Sequence, residues 1–439
     1  MITIRRSVCF AFALAFLLGG CTAGPSRTAR DTGAMNDADF ALYRSVLNRV
    51  RASYVDSVSD SKLIDSSLKG MLTGLDPHSD YMTEHEYQDM MDDSAGEFAG
   101  IGAELTRDDN HPVVLSPIDG TPASRAGIQP GDIILRIDGH LTDGLSLKDV
   151  VDSLRGPANT QVKITIGRKS VPPFEVSLTR AIIHVDSVKF AMQPNNVGYI
   201  RITSFGETTQ REVARAIDDL KNKAGGQLRG LVLDLRNNPG GLLDQAVQVS
   251  GDFLDGGTTV SIRGRSDDDN HVFPAPGGGD RLRGVPVVVM INGASASAAE
   301  IVAGALQDRK RAEILGMQSF GKGSVQTIIP LDGHGALRLT TARYYTPSGR
   351  SIQGQGIVPD HVVEQPKGEK SAEVELVREA DLPGAITNGL KNQPGDAVAA
   401  PRTKTETLIE VAAIGTVKDY QLKAALDDLG KQVRVSGNK

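Results

Sequence analysis

Two aliphatic runs, LVLDL at 231–235 and VPVVVMI at 285–291, carry almost no polar side chain. A strand with one wet face alternates apolar and polar residues. An unbroken run of Val, Leu and Ile is instead buried on both faces, as in a parallel or mixed sheet covered by helices. The segments between them support that reading. Residues 209–224 place Val213, Ala216, Ile217 and Leu220 on one helical face, residues 241–254 again read as a helix, and 198–205 read as a strand. Strand and helix alternating over about 197–360 predict an α/β core with right-handed crossovers.

The 439-residue chain is long enough for two or three domains. Its net charge of −6 gives no reason to expect nucleic acid. Arg5 and Arg6 precede an apolar run at 8–18, too short to cross a bilayer and suited to a secretion signal (residues 1–20). LGGC at 18–21 resembles a bacterial lipobox, which implies lipidation of Cys21 and a membrane anchor in the bacterial envelope, on the periplasmic side. The other reading is a signal cleaved near Ala23 that releases a soluble protein. Cys9 is the only other cysteine and lies within the signal, so the mature chain has no internal disulfide and no catalytic thiol. Residues 21–34 read as a flexible tether.

Residues 35–95 read as a small helical subdomain. Phe40, Tyr43, Val46, Leu47, Val50 and Tyr54 share one face of a first helix, and Gly74 and Pro77 stop a second. From 96 to 182 the period shortens and glycines mark turns. SPIDGTPASRAGIQPGDIILRIDG at 116–139 resembles the core of a PDZ domain, a small β barrel or sandwich with helices. GIGAEL then stands where that family binds a chain terminus, with the backbone N–H groups of Gly100, Ile101, Gly102 and Ala103 aimed at a carboxylate and the next strand adding a peptide by β-augmentation. Residues 365–405 are polar and aperiodic and read as disordered. A C-terminal helical segment (406–439) is centred on 420–429.

The stretch INGASASAAEIVAGALQDRKRAEILGMQSFGKGSVQ at 291–326 carries the chemistry. Ser297 and Glu300 have capping-box spacing at the start of a helix. A strand-to-helix turn also offers free N–H groups and a positive dipole end to an oxyanion. On these grounds Ser295 and Ser297 both qualify as a nucleophile. Gly316 to Lys322 matches a phosphate-binding GxxxxGK, but Gly323 follows where Ser or Thr is needed, and 324–331 read as a strand. A lysine acting as general base must be neutral, which requires a buried amine. The sequence permits that without establishing it. Asp308, 11 residues and about 16 Å along a helix from Ser297, is assigned to structure.

The same stretch resembles the active-site segment of the carboxyl-terminal processing proteases, serine peptidases with a Ser/Lys dyad. LDLRNNPGGLLDQAV at 233–247, LRLTTARYYTPSGRSIQGQGIVPD at 337–360 and the helical–PDZ–protease order match as well. The resemblance implies a crotonase- or ClpP-like mixed sheet with helices over 183–364. It implies Ser297 as nucleophile, Lys322 as base, Gln326 positioning the lysine, and an oxyanion hole from Ala298 with Gly240 or Gly241. Ala299 departs from the serine that many members carry there. Arg168, at the end of the last PDZ strand, is a candidate for coupling that domain to the active site. The implied partners are protein or peptide C-termini, an adaptor protein and a second copy of the chain. No cofactor and no metal are implied. The rival readings are a non-catalytic PDZ scaffold and a crotonase-like acyl-thioester enzyme, which the signal and PDZ domain argue against.

Overall fold

The computed structural model describes residues 36–108, 111–366, 371–375, 377–388, 405–409, 414–416 and 418–436. The expected signal, Cys21 and the tether lie outside the described residues. The chain divides into two units at residues 64 and 65. In the first, helix Asp37–Ser53 is capped by Asn36, whose side chain accepts the Asp39 N–H. Its expected apolar face forms, but the helix buries no residue, and Phe40, Tyr43, Val46 and Tyr54 are exposed.

In the second unit the two aliphatic runs become central strands, Gly230–Asp234 and Val287–Ile291, buried at every position. Their six-stranded sheet adds Val188–Gln193, Val197–Ile202, Ala312–Gly316 and His361–Val362. Only the first pair is antiparallel. Successive side chains point to opposite faces, so each run feeds two cores. Leu231, Leu233, Val287, Val289 and Ile291 pack in one cluster with residues of helices Thr209–Lys223, Leu243–Gly251 and Ala298–Asp308. Val232, Val288 and Met290 pack with Leu422, Ala425 and Leu429 of helix Tyr420–Ser436. The expected α/β core is present, and the C-terminal helix covers its second face.

The turn after Gly230–Asp234 is tied to that helix by buried charge. Arg236 is 1% exposed, donates to both carboxylate oxygens of Asp234 and Asp419, and also reaches Gln421. The Tyr199 hydroxyl donates to Asp234 at 2.7 Å. Every strong donor of the guanidinium is matched, which offsets its desolvation.

A second sheet is antiparallel: Thr258–Gly264, His271–Pro274, Ser324–Pro330 and Ala336–Tyr345, with Asp80–Met82 on its edge. That edge strand corrects the expected helical subdomain at 35–95. Its Asp80 pairs with Arg338 and its Met82 with Ala336, so this segment joins the second sheet rather than a separate helical subdomain. The disordered reading of 365–405 is corrected where that range is described, at 365–366, 371–375, 377–388 and 405; its other residues lie outside the described ones. Strand Ser371–Glu375 pairs with Thr405–Ile409, and residues 377–388 pack on the core with Arg378 and Glu379 buried. Thr405–Ile409 is likewise a strand where the reading of 406–439 expected helix.

The PDZ-like region is a sheet in the order Ala103–Asp108, His111–Pro117, Ile133–Ile137, Gln161–Arg168, Val171–Thr179 around its own apolar cluster. Ala103–Asp108 is an edge strand beside helix Leu147–Leu154.

Replacing Asp419 with Ala strands part of the buried Arg236 guanidinium. The expected cost is about 3–5 kcal/mol in denaturant unfolding. A variant within 1 kcal/mol of wild type, on the order of an exposed pair, contradicts this account.

Candidate active site

Three neighbouring parallel strands end on one edge of the main sheet, and the turns that follow them build the site. These are residues 235–241 after Gly230–Asp234, 292–297 after Val287–Ile291, and 317–323 after Ala312–Gly316. The carboxyl edge of a parallel sheet is where helix N-termini and free N–H groups converge. The turns are stitched by backbone and amide bonds. Asn237 and Asn292 exchange two hydrogen bonds, Ala296 N–H donates to Asn238 O, and Phe320 N–H donates to Ser295 O.

Ser297 sits at the N-terminus of helix Ala298–Asp308 with φ 53° and ψ −113°. A residue with a Cβ pays strain there, and such strain persists where the surroundings impose it, often at reactive sites. Ser297 is half-buried, whereas Ser295 is fully buried. The Ser295 hydroxyl donates to Leu235 O at 2.8 Å and accepts the Asn292 N–H at 2.9 Å. Its proton holds the turn together, so the structure separates two serines that residue chemistry alone left equal.

Lys322 lies between two glycines that serve close packing. A Cβ on Gly323 would sit 2.2 Å from Gln353 N, and Gly321, at φ +97°, packs on residues 354–356. Burial, followed by the nearby cation of Arg338, lowers the pKa of the Lys322 amine; Glu379, Glu300 and Asp76 pull the other way. The ammonium has no hydrogen bond or ion pair to any described residue.

Glu300 unites the two turns. Fully buried, it accepts the Ser297 N–H at 2.7 Å and the Lys322 N–H at 2.9 Å on one oxygen. Those two bonds hold the two nitrogens within the sum of their lengths, 5.6 Å. Its other oxygen accepts the Ser319 hydroxyl at 2.5 Å and the Gly321 N–H at 2.7 Å. Burial raises its pKa to about 7 against these four donors. The capping-box spacing was visible in the sequence. The clasp on the lysine turn, 22 residues away, was not.

The remaining expected residues are placed as follows. Gly240, at φ +106°, approaches Ser297 so closely that a Cβ would lie 2.8 Å from the serine Cβ. Its N–H is committed to Asn238 Oδ1 at 2.8 Å. The N–H groups of Gly241 and Ala298 have no hydrogen-bond partner among the described residues, so the oxyanion expectation narrows to that pair. Gln326 does not hydrogen-bond Lys322. Its amide donates to Ser324 and Thr340, and Thr340 donates to Asp76. Asp308 binds Ser348 and Arg350, a structural role. Arg168 pairs with both oxygens of Asp132 at 2.7 Å, donates to Gly127 O and stacks on Phe174, and all three partners lie within the PDZ-like domain.

At the other expected site, Ile101 and Gly102 form the loop that enters edge strand Ala103–Asp108, after strand Glu97–Gly100. Gly102 has φ +77°, and a Cβ there would lie 2.3 Å from Thr121, so a side chain is excluded. Among the described residues one group could hold a metal: Glu313, His361 and Asp428, with ligand atoms within 4.8 Å of one another. None of the elements carrying it bears Ser297 or Lys322.

Because its pKa is raised above 4.5, Glu300 takes up a proton in the folded state between pH 4.5 and about 7. Its contribution to stability is full below 4.5 and is lost as pH rises through 7. The stability of wild type relative to Glu300→Gln therefore falls by up to about 3 kcal/mol across that window, measured by urea unfolding at several pH values. Misplacing the two turns also costs on the order of 10²-fold in turnover.

Residues 196–363 match peptidase family S41, and residues 113–168 match a PDZ domain. The carboxy-terminal-processing protease of Bartonella bacilliformis is 49% identical over 82% of this chain and 83% of its own length. Carboxy-terminal processing protease CtpA of Bacillus subtilis is 32% identical over 93% of this chain and 87% of its own. Among solved structures, the photosystem II D1 C-terminal processing protease is 32% identical, covers 75% of this chain and 94% of its own, and has a TM-score of 0.43. A PDZ-like sheet, together with a strained serine and a half-buried lysine on one sheet edge, agrees with this kinship: the chain belongs to peptidase family S41, among the carboxy-terminal processing serine proteases.

Proposed function

We propose that this protein is an endopeptidase that captures a polypeptide C-terminus on its PDZ domain and cleaves near that terminus through a Ser297/Lys322 dyad. The observation that carries this reading is the single Glu300 oxygen that accepts both backbone N–H groups, of Ser297 and of Lys322. Ser297 Oγ attacks the scissile carbonyl while neutral Lys322 takes its proton. The tetrahedral oxyanion is received by the N–H groups of Gly241 and Ala298. Collapse expels the amine, protonated from Lys322, and leaves an ester on Ser297 that water hydrolyses by the same proton relay. No general base other than the lysine is required, and a buried amine favours its neutral form. The open edge of Ala103–Asp108 is suited to an added peptide strand, with the 100–103 loop at the terminal carboxylate. On the reading of Cys21 as a lipidated residue, the enzyme acts tethered to a bacterial membrane.

An unstructured polypeptide with an apolar C-terminus is incubated with wild type, Ser297→Ala and Lys322→Ala, and the products are read by mass spectrometry. Wild type cleaves, and both variants lose on the order of 10³-fold or more. Cleavage by Ser297→Ala at the wild-type rate overturns the assignment. In wild type, kcat/KM rises with pH through an apparent pKa below the ordinary lysine value, because the base must be deprotonated. Amidation of the substrate's C-terminus raises KM and leaves kcat nearly unchanged if the PDZ loop reads the carboxylate.

A further inference from the structure

Residues 377–388 grip the turn that carries Lys322. Arg378 Nη1 donates to Gln318 O at 2.8 Å and Ser319 O at 2.7 Å, and Glu379 N–H donates to Phe320 O at 3.2 Å. The Glu379 carboxylate is fully buried. One oxygen lies 2.7 Å from His78 Nε2, and the other accepts Gln353 Nε2 at 2.8 Å. Gln353 in turn accepts the Gly323 N–H at 2.9 Å, the residue after the lysine, and donates to Ile386 O farther along the same segment. His78 is fixed from its other side, where Arg338 donates to its carbonyl at 3.1 Å. The lysine turn is thus held on its carbonyl side by Arg378 and Glu379 and on its N–H side through Gln353.

We propose that Glu379 is a positioning residue for Lys322: its carboxylate joins His78 to Gln353 and thereby sets the turn that presents the amine to Ser297. The proposal rests on the Ser/Lys reading above. A buried acid is costly unless each oxygen is paired, and here both are paired to side chains from distant parts of the chain. Residues 76–82, 318–323, 353 and 377–388 are separated in sequence and meet at this one group. The charge is also felt at the amine. The groups that face Lys322 are Arg338 from strand Ala336–Tyr345, Glu379, Glu300 from the Ser297 helix and Asp76 beside His78. The three carboxylates favour the ammonium and Arg338 opposes it, so removing the Glu379 charge shifts Lys322 toward its neutral form.

The test compares wild type, Glu379→Gln, Glu379→Ala and Lys322→Ala in the full chain, with pH profiles of kcat and KM on the same polypeptide and thermal unfolding to confirm folding. Glu379→Gln keeps the shape and one acceptor, so it folds, retains kcat within about tenfold of wild type, and moves the rising limb of kcat/KM to lower pH. Glu379→Ala loses on the order of 10²-fold in kcat with little change in KM. Folded Glu379 variants with wild-type kcat and an unmoved limb overturn the inference. So does a loss of kcat in both variants with no movement of the limb, which marks a purely structural contact. Lys322→Ala separates the two levels: inactive, it leaves the dyad standing whatever Glu379 does, and active, it overturns the dyad itself.

Discussion

A single buried carboxylate holds the candidate active site together. Glu300 receives four donors: the backbone N–H groups of Ser297, Gly321 and Lys322 and the hydroxyl of Ser319. Each donor would otherwise be an unsatisfied polar group, in a region where solvation is scarce. The acid is as dependent on the donors as they are on it, because a buried carboxylate without partners would take up a proton and lose half its accepting capacity. Burial already raises its pKa to about 7. The arrangement is therefore poised: the ionised form clasps two turns, and its cost is met by the number of donors aimed at it.

The same logic recurs at a second buried charge. Arg236 is matched by Asp234, Asp419 and Gln421, and it joins the turn that leads to Gly240 and Gly241 to the start of the C-terminal helix. Both networks sit at the carboxyl edge of the central strands, where the aliphatic core ends and backbone groups lose their sheet partners. The apolar runs make the edge rigid, and the charged residues just beyond them determine which turns meet there. The strained backbone of Ser297 is tolerable because both sides of it are fixed, by Ala296 to Asn238 and by its own N–H to Glu300.

Several parts of this organisation were legible in the residues. The doubly buried runs at 231–235 and 285–291 announced the central sheet, and the strand reading of 324–331 ruled out a phosphate loop. The protease-like stretch at 291–326 pointed to Ser297 and Lys322 as the candidate dyad. Other parts were not legible. Without the family motif, Ser295 and Ser297 are chemically alike and two residues apart, and the bonds of Ser295 to Leu235 and Asn292 distinguish them. Residues 377–388 looked disordered because they are polar and aperiodic. Their order comes from Arg378 and Glu379 finding partners in the protease core rather than from an apolar face. Likewise Asp80–Met82 is too short to register as a strand, and it exists through its pairing with Ala336–Tyr345.

By itself the sequence determined the period of each long element, the burial of the central strands and the chemical types available at the site, because these depend on neighbouring residues along the chain. Tertiary structure decided which polar groups became partners. His78, Gln353, Glu379 and Lys322 lie far apart in the chain, and so do Arg236 and Asp419. Hydrogen bonds and ion pairs reach only a few ångströms, so their pattern is set by which turns the folded sheet brings to one edge. Periodicity along the chain carries no record of that choice.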